Sequence, residues 1–381
     1  MNTIILLVFL SFNKKKELIS YLRKDKNLNF IDMISTRKIN DGELYDYKVC
    51  SNEDFIKADF SFAHLLHGEY YGLNITPDKN IYCKSIVVSE FVSEEAEAFN
   101  KVKSDILDEI ILVGINICDD ISDFQSNTTL KNKIRKYRDH LDITLSGNYE
   151  DIKSAIHVLQ YLLTNRGILD KHAIYNLTKC NTLLHNVENN NIHSASYDLR
   201  LSDCAWSQGK YITLNDNNPT LTIPKYSYVL VKAIEEADFP KFLAARFDLK
   251  VSLFFKGIIL SNAPQVDPGY RGGSLFCLLF NATDDDQGLT RGNHFATIEF
   301  NMTARVTEGY KQQYQGKKNL SDFIPESSAV SKGGQLFERL QSIEDKIEQL
   351  EHLPESVYKI CIVAGGIILA GVYFLLMYFK K

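Results

Sequence analysis

The feature that most constrains the fold is a series of short apolar segments between residues 172 and 312. β-Branched and aromatic residues form these segments at 221–223, 228–231, 258–260 and 296–300. Clusters of Pro, Gly, Asn and Asp separate them at the spacing typical of strands joined by turns. The pattern predicts that residues 172–312 fold as an all-β barrel.

Four motifs follow one another in this region between residues 196 and 297. They are 196–200 (Ser-Tyr-Asp-Leu-Arg), 245–249 (Ala-Arg-Phe-Asp-Leu), 266–272 (Val-Asp-Pro-Gly-Tyr-Arg-Gly, continuing to Asn281) and 292–297 (Gly-Asn-His-Phe-Ala-Thr). In this order they resemble the motifs of the dUTP pyrophosphatase and dCTP deaminase superfamily. Without that family, Asp-Pro-Gly-Tyr would indicate only a good turn.

The resemblance implies an enzyme that hydrolyses dUTP or a related deoxynucleoside triphosphate to monophosphate and pyrophosphate with Mg²⁺. At the matching positions, Asp267 would orient the attacking water, and Asp198 would hold Mg²⁺ indirectly, through its bound water. Arg246 stands at the phosphate-binding arginine. The residues that the resemblance assigns to nucleotide binding are Arg246, Tyr270, Arg271, His294 and Asp198.

The second activity of the superfamily, deamination of dCTP, fits these residues less well. The family's deaminases use a glutamate a few residues after the turn as acid and base, and that position is Leu278 here. The signature of zinc deaminases is also absent from the sequence. The hydrolase departs from its pattern too, since Phe247 replaces the serine expected after Arg246, and Asp248 would repel a triphosphate.

The first 168 residues show an α/β pattern, with apolar strands at 4–10 and 110–114 and a helix-like stretch between them. Segments around Arg37, Tyr47 and Tyr71 resemble the substrate-binding region of guanylate kinases and ribose bisphosphate phosphokinases. The resemblance implies a P-loop-kinase-like fold in which these three residues hold a phosphorylated ligand. Plain packing of the tyrosines and a surface ion pair explain them equally well.

The phosphate-binding loop of such kinases is missing. The family's loop needs glycines so that backbone N–H groups can surround the ATP phosphates. Residues 9–16 contain three lysines but no glycine. The N-terminal domain is therefore expected to be a degenerate kinase fold without phosphate transfer.

The C-terminal part of the sequence divides into three pieces. After a linker at 313–334, Leu340 and Ile347 belong to an apolar heptad pattern over 335–352, which predicts a coiled-coil stalk or an amphipathic helix on the main body. Residues 360–379 carry no charge, and a helix of that length would span the ~30 Å apolar core of a bilayer. We therefore expect one transmembrane helix at 358–379, a tail anchor that leaves the large domains in the cytoplasm.

Charge and cysteine content limit the remaining classes of function. A net charge of −5 does not favour binding to a phosphate backbone, so no nucleic-acid partner is expected. The seven cysteines are scattered without metal-site spacing and indicate reduced thiols.

Three functions remain open from the sequence. The first is hydrolysis of a deoxynucleoside triphosphate by a homotrimer, since the family builds each site from neighbouring chains. The second is a membrane-tethered nucleotide sensor without turnover. The third, which Leu278 disfavours, is dCTP deamination.

Overall fold

A computed structural model describes residues 3–10, 14–25, 29–31, 33–38, 47–58, 60, 62–66, 68–73, 85–89, 109–117, 140–261, 264–324, 339–340, 342–348 and 355–378. The N-terminal α/β part contains β1 (Thr3–Phe9), α1 (Lys15–Arg23), β2 (Asn29–Ile31), β3 (Met33–Ser35), β4 (Tyr47–Val49), α2 (Asn52–Lys57), β5 (Phe62–Leu66), β6 (Glu69–Leu73), β7 (Ser85–Ser89), β8 (Glu109–Ile117), β9 (Ile143–Gly147) and α3 (Tyr149–Thr164).

A parallel sheet forms the centre of this part, with strand order β2-β7-β1-β8-β9. Residues 5–10 are all buried, as expected for a parallel strand that is covered on both faces. Helix α1 buries Leu18 and Leu22 in the same core. Helix α3 begins after Asn148, whose side chain accepts the N–H of Asp151 at 2.9 Å and caps the helix.

A smaller sheet with strand order β4-β3-β6-β5 lies in the same part of the chain. In it β3 pairs with β4 in parallel and with β6 antiparallel. This sheet carries two of the three residues predicted to bind a phosphorylated ligand, Tyr47 and Tyr71, and the third, Arg37, lies two residues after the end of β3.

The β part follows from residue 171. Its elements are α4 (Lys171–Lys179), β10 (Leu183–His185), β11 (Tyr197–Ser207), β12 (Lys210–Thr213), β13 (Thr220–Ile223), β14 (Tyr228–Asp238), β15 (Leu243–Leu249), α5 (Val251–Phe254), β16 (Ile258–Leu260), β17 (Gln265–Val266), β18 (Arg271–Asn281), β19 (Gln287–Thr290) and β20 (His294–Met302).

Nine of these strands form one sheet with the order β16-β18-β14-β11-β20-β15-β17, to which β10 and β12 add on β14 and β11. Buried and half-buried residues alternate strictly along β14, the period expected of a strand with one face on the core. In the described part of the chain the pairing starts at β16 and ends at β17. The predicted all-β barrel is therefore corrected to a half-barrel sheet.

The α/β part and the β part share one continuous hydrophobic core. Backbone hydrogen bonds cross between them, from Ser146 N–H to the Cys180 carbonyl (3.0 Å) and from Lys241 N–H to the Asp142 carbonyl (2.9 Å). The β part is thus packed against the N-terminal part and hydrogen-bonded to it.

Residues 303–324 pack on the β part after its last strand. Leu320 is fully buried with Cys204 and Trp206, and the Phe323 ring lies 4.0 Å from that of Phe276 between centroids. We call this segment the C-terminal arm. It includes residues 313–324, which the sequence analysis assigned to a linker.

The C-terminal helix α6 (Glu355–Tyr378) forms where the transmembrane helix was predicted. Among the described residues, however, no helix combines the length and apolar character that a membrane crossing requires. The predictions of a transmembrane tail anchor at 358–379 and of a membrane location with cytoplasmic domains are therefore wrong.

The stalk is described only in part. Residues 339–340 and 342–348 are helical, and Leu340, Ile343 and Ile347 are half exposed on that helix. Leu336 and Leu350, which belong to the same heptad pattern, lie outside the described residues. The coiled coil stays a prediction.

Candidate functional site

The three N-terminal candidates lie around β3. Tyr71 on β6 pairs with Ser35, Tyr47 on β4 pairs with Met33, and Arg37 lies two residues after the end of β3. The Tyr71 residue is 9% exposed, so most of its ring packs in the domain. The fold places Tyr47 and Tyr71 in one small sheet and Arg37 just after one of its strands, and their role in ligand binding stays a prediction.

The start of α1 takes the place of the missing phosphate loop. The residue before the helix, Lys14, has φ 49° and no side-chain cap, and Lys15 is buried with its Nζ 5.4 Å from the Phe9 ring centroid. Residues 11–13 lie outside the described part. A buried lysine against an aromatic ring differs from the open glycine loop that ATP phosphates need.

A polar cluster surrounds Asp198, which lies in the middle of the β sheet on β11. Its Oδ1 accepts a hydrogen bond from Thr297 Oγ1 (2.7 Å), and its Oδ2 accepts one from Lys250 Nζ (2.7 Å). The Nε2 atom of His193 lies 2.9 Å from the same Oδ2, and Nδ1 of His294 lies 3.9 Å from it. We call these residues the Asp198 cluster.

The fold positions each member of this cluster. Asp198 and Thr297 are direct partners across β11 and β20. Lys250 stands between the end of β15 and the start of α5, where its N–H donates to the Phe295 carbonyl (3.0 Å). His294 begins β20 and its Nε2 lies 3.0 Å from Asn191 Oδ1.

The pKa of Asp198 is lowered by these contacts. Burial alone would raise it, but hydrogen bonds from Lys250, Thr297 and His193 favour the ionised carboxylate and outweigh the burial. Asp198 is therefore a carboxylate at neutral pH.

This arrangement does not fit the Mg²⁺ role predicted for Asp198. Its side chain is 4% exposed, and both carboxylate oxygens already accept hydrogen bonds, one of them from an ammonium group. Among the described residues, no group of three or more His, Cys, Asp or Glu side chains is placed to hold a metal ion. We derive no step through a metal at Asp198.

Next to Asp198 on the same strand, Arg200 forms a buried ion pair with Glu235. Arg200 Nε donates to Glu235 Oε1 (2.7 Å) and its N–H to Oε2 (3.0 Å). Tyr197 Oη donates to the same Oε1 at 2.9 Å. Burial, followed by the charge of Glu235, raises the pKa of Tyr197 to about 12. The network keeps the strand on both sides of Asp198 in place.

Asp267 lies at a separate cavity of about 220 Å³. Its carboxylate is exposed, and Gln265 Nε2 donates to Oδ1 at 3.3 Å. Five of the eleven residues that line the cavity are aromatic, namely Phe247, Tyr270, Phe276, Tyr310 and Tyr314.

Tyr270 forms part of the cavity wall and is itself fixed. Its Oη donates to the Ser274 carbonyl (3.0 Å), and burial raises its pKa to about 12. A side chain at position 273 would collide with this ring, so Gly273 is needed for the close approach. The Tyr270 phenol is therefore neutral at physiological pH.

The C-terminal arm closes one side of the cavity. Tyr310 N–H donates to the Pro268 carbonyl (2.7 Å), and Gln315 Nε2 donates to the Gly269 carbonyl (2.9 Å). Gly269 has φ +77°, and a Cβ there would lie 2.7 Å from the Gly309 Cα, so glycine is required at this contact. Sequence reasoning missed this arm.

The other predicted residues are placed differently from the expectation. Arg246 is exposed on β15, and because side chains alternate along a strand it points away from the face on which Phe247 lines the cavity. Arg271 is buried, and its guanidinium contacts backbone carbonyls. Leu278 lies on β18, paired with Leu230.

The structure therefore brings Asp198 and His294 together in one group and Asp267 and Tyr270 in another. It adds Lys250, His193 and Thr297, which the sequence analysis did not assign. The available signal was position: Thr297 ends one motif, Lys250 directly follows another, and His193 precedes a third.

Comparisons with known proteins agree with the motifs. No family model matches the chain. It is 34% identical over 131 residues to the dCTP deaminase of Thermococcus kodakarensis, covering 34% of this chain and 83% of that protein. It is 30% identical over 130 residues to the dCTP deaminase of Pyrococcus abyssi, covering 34% and 82%.

Two solved structures give weak matches. The 2′-deoxycytidine 5′-triphosphate deaminase of Agrobacterium tumefaciens has a TM-score of 0.32 at 19% identity, over 36% of this chain and 49% of that chain. The guanylate kinase of Anaplasma phagocytophilum has a TM-score of 0.30 at 16% identity, over 43% and 85%. Scores this low carry no argument about the fold or function of this chain.

The assignment to a family depends on the relatives found by sequence. The match to the Thermococcus kodakarensis protein extends over most of that protein's length, and the four motifs occur in the expected order. The chain belongs to the dUTP pyrophosphatase and dCTP deaminase superfamily.

Proposed function

We propose that this protein processes a deoxynucleoside triphosphate, with the base in the Asp267 cavity, by hydrolysis to monophosphate and pyrophosphate. The observation that carries the proposal is an exposed carboxylate, Asp267, at the edge of a cavity lined by aromatic rings. Aromatic side chains stack on bases of any sequence, and a carboxylate can orient a water.

The size of the cavity fits this role. Its 220 Å³ lies below the roughly 300–1,000 Å³ of pockets that enclose drug-sized ligands. It is also about seven times the ~30 Å³ that one water occupies in the liquid. A single heterocyclic base is the matching group, with the sugar and phosphates outside.

Asp267 would act on the water that attacks the α-phosphorus. The water oxygen forms the new P–O bond, the bond to the pyrophosphate oxygen breaks, and the water proton passes to Asp267 and then to solvent. Gln265 orients one carboxylate oxygen. Among the described residues the other oxygen has no hydrogen-bond partner and can accept from the water.

Deamination is the second candidate, because the curated relatives are named dCTP deaminase. It would convert dCTP and water to dUTP and ammonia, which requires a group that moves protons at the base. Leu278 occupies the position of the family's glutamate and cannot move a proton. We therefore place hydrolysis first.

The two polar groups lie on different elements, Asp198 on β11 and Asp267 after β17. A homotrimer that joins the Asp198 cluster of one chain to the Asp267 cavity of another would complete a site. Exposed apolar side chains next to Lys250, namely Val251, Phe254 and Phe255, offer a contact surface for such an assembly.

The test is incubation of the full-length protein with dUTP, dCTP and the other deoxynucleoside triphosphates, supplied with Mg²⁺, followed by chromatography. Monophosphate with pyrophosphate supports hydrolysis. Deaminated triphosphate supports the second candidate, and binding without product supports a sensor.

The variant Asp267→Asn sharpens this test, because it preserves the turn and removes the charge. Turnover is expected to fall by about 10²-fold or more with little change in nucleotide affinity. Asp216→Asn, an exposed aspartate outside the cavity, is the control. Equal turnover by wild type and Asp267→Asn would refute the catalytic assignment.

A further inference from the structure

Arg271, which follows the cavity residue Tyr270, is buried at the contact between the two parts of the chain. Its guanidinium donates to the carbonyls of Asp142 (2.8 Å) and Leu141 (3.4 Å), which precede β9 of the N-terminal sheet. Its Nε donates to the Phe239 carbonyl (3.2 Å), and the Asp238 carboxylate lies 3.8 Å away. One side chain thus joins the N-terminal part to the β part.

The acceptor on the N-terminal side is itself anchored. Asp142 Oδ2 accepts the N–H of Leu112 on β8 (2.8 Å), and the Asp142 N–H donates to the Leu112 carbonyl (2.9 Å). The carbonyl that Arg271 binds also accepts the N–H of Lys241 (2.9 Å). The contacts of Arg271 therefore lead directly into the parallel sheet.

On the other side, Arg271 is one residue from the turn that presents Asp267. The Tyr270 N–H donates to the Asp267 carbonyl (3.2 Å), and the Phe239 N–H donates to the Tyr270 carbonyl (2.9 Å). A shift of the guanidinium would move the strand start and this turn together.

We propose that Arg271 is a positioning residue that couples the N-terminal α/β part to the Asp267 cavity. The α/β part is then a structural component of the nucleotide site, and changes at β8 alter the turn at residues 267–270. That this cavity binds a nucleotide rests on the proposed function, whereas the coupling through Arg271 can be tested on the protein without nucleotide.

Arginine suits this place better than lysine. Its planar group donates in several fixed directions and is only weakly hydrated, so it can serve three carbonyls in a buried site. A lysine at this position keeps the charge but has a single ammonium group, which cannot reach all three carbonyls. Arg271→Lys should therefore restore the coupling only in part, and Arg271→Met should remove it.

The test is amide hydrogen exchange on the full-length protein without nucleotide. In Arg271→Met, exchange is expected to become about tenfold faster or more at Gly269 and Tyr270 and also at Leu112 and Asp142. The separate two-stranded sheet that β13 and β19 form should be unchanged. Arg291→Met, which alters an exposed arginine beside Asp216, is the matched control and should match the wild type.

Faster exchange at the turn alone, with Leu112 and Asp142 unchanged, would overturn the coupling. If Arg271→Met does not fold, the same amides are measured in Arg271→Lys. Exchange should again be faster at both the turn and the N-terminal sheet, by a smaller factor, and faster exchange at the turn alone would again overturn the coupling.

A second arm adds dUTP to the wild type and follows the same amides. Slower exchange at Leu112 and Asp142 on binding supports the coupling, and bound nucleotide without that change contradicts it. Failure of every deoxynucleotide to bind would count against the proposed function only, because the exchange of the free variants still tests the role of Arg271.

Discussion

Removal of the Arg200 guanidinium should destabilise the β part strongly. Glu235 is fully buried, and its carboxylate accepts from Tyr197 Oη, Arg200 N–H and Arg200 Nε. The same guanidinium also bonds Glu188 and the Asn186 carbonyl. Arg200→Met leaves the carboxylate with two neutral donors and no opposite charge.

The magnitude follows from the burial of the remaining charge. Breaking a buried ion pair by removing one partner costs about 3–5 kcal/mol, because the other charge stays in a low-dielectric site. Adding Glu235→Gln removes that charge and keeps an oxygen for Tyr197. The double variant should therefore be more stable than Arg200→Met by about 1 kcal/mol or more.

Urea unfolding followed by tryptophan fluorescence measures this effect. Trp206 is the single tryptophan of the chain and lies buried on β11, the strand that carries Arg200. Arg291→Met is the matched control, since its exposed pair with Asp216 should contribute under about 1 kcal/mol.

Two outcomes would refute the reasoning. The first is a loss of less than about 1 kcal/mol for Arg200→Met, which would mean that Glu235 is not a buried charge. The second is a double variant no more stable than Arg200→Met, which would mean that the cost lies in packing and not in charge.

Three further predictions concern the other parts of the molecule. Because the pKa of folded Asp198 is lowered from 3.8, its contribution to stability is present above pH 3.8 and is lost as the pH falls through the lower folded value. In Asp198→Asn, the free energy of unfolding should therefore depend less on pH on the acid side. An acid dependence equal to that of the wild type would contradict this. Light scattering should give three times the 43.5 kDa protomer mass and a smaller mass for Phe255→Ser, whereas a wild-type monomer would exclude the trimer. No transfer of phosphate from ATP is expected, with Lys15→Met indistinguishable from wild type, and transfer that this change abolishes would overturn the prediction.

The sequence predicted features that depend on neighbouring residues, such as strands, and features that are carried by motifs of the superfamily. Runs of β-branched and aromatic residues between turn clusters indicated strands at 221–223, 228–231, 258–260 and 296–300, and all four segments are strands. The four ordered motifs indicated the superfamily to which the chain belongs. The prediction of a transmembrane helix from the uncharged run near the C terminus was wrong, because an apolar composition was taken as sufficient for a membrane crossing.

The direction and partners of each side chain were decided only by the tertiary structure. Arg246 and Phe247 are neighbours in sequence, yet the pleat sends them to opposite faces of β15. Lys250 reaches Asp198 because β15 and β11 both pair with β20, which is a relation between distant segments. Arg271 belongs to a motif associated with nucleotide binding, but packing of the N-terminal part against the β part buries it among backbone carbonyls.

A motif in the sequence specifies which residue types are present and how far apart they lie along the chain. Strand register and the contact between the two parts depend on the burial of apolar surface from many distant residues at once. The presence of Asp198, Asp267 and Arg271 could therefore be read from the sequence. Their separation into a polar cluster, an aromatic cavity and an interdomain contact required the folded chain.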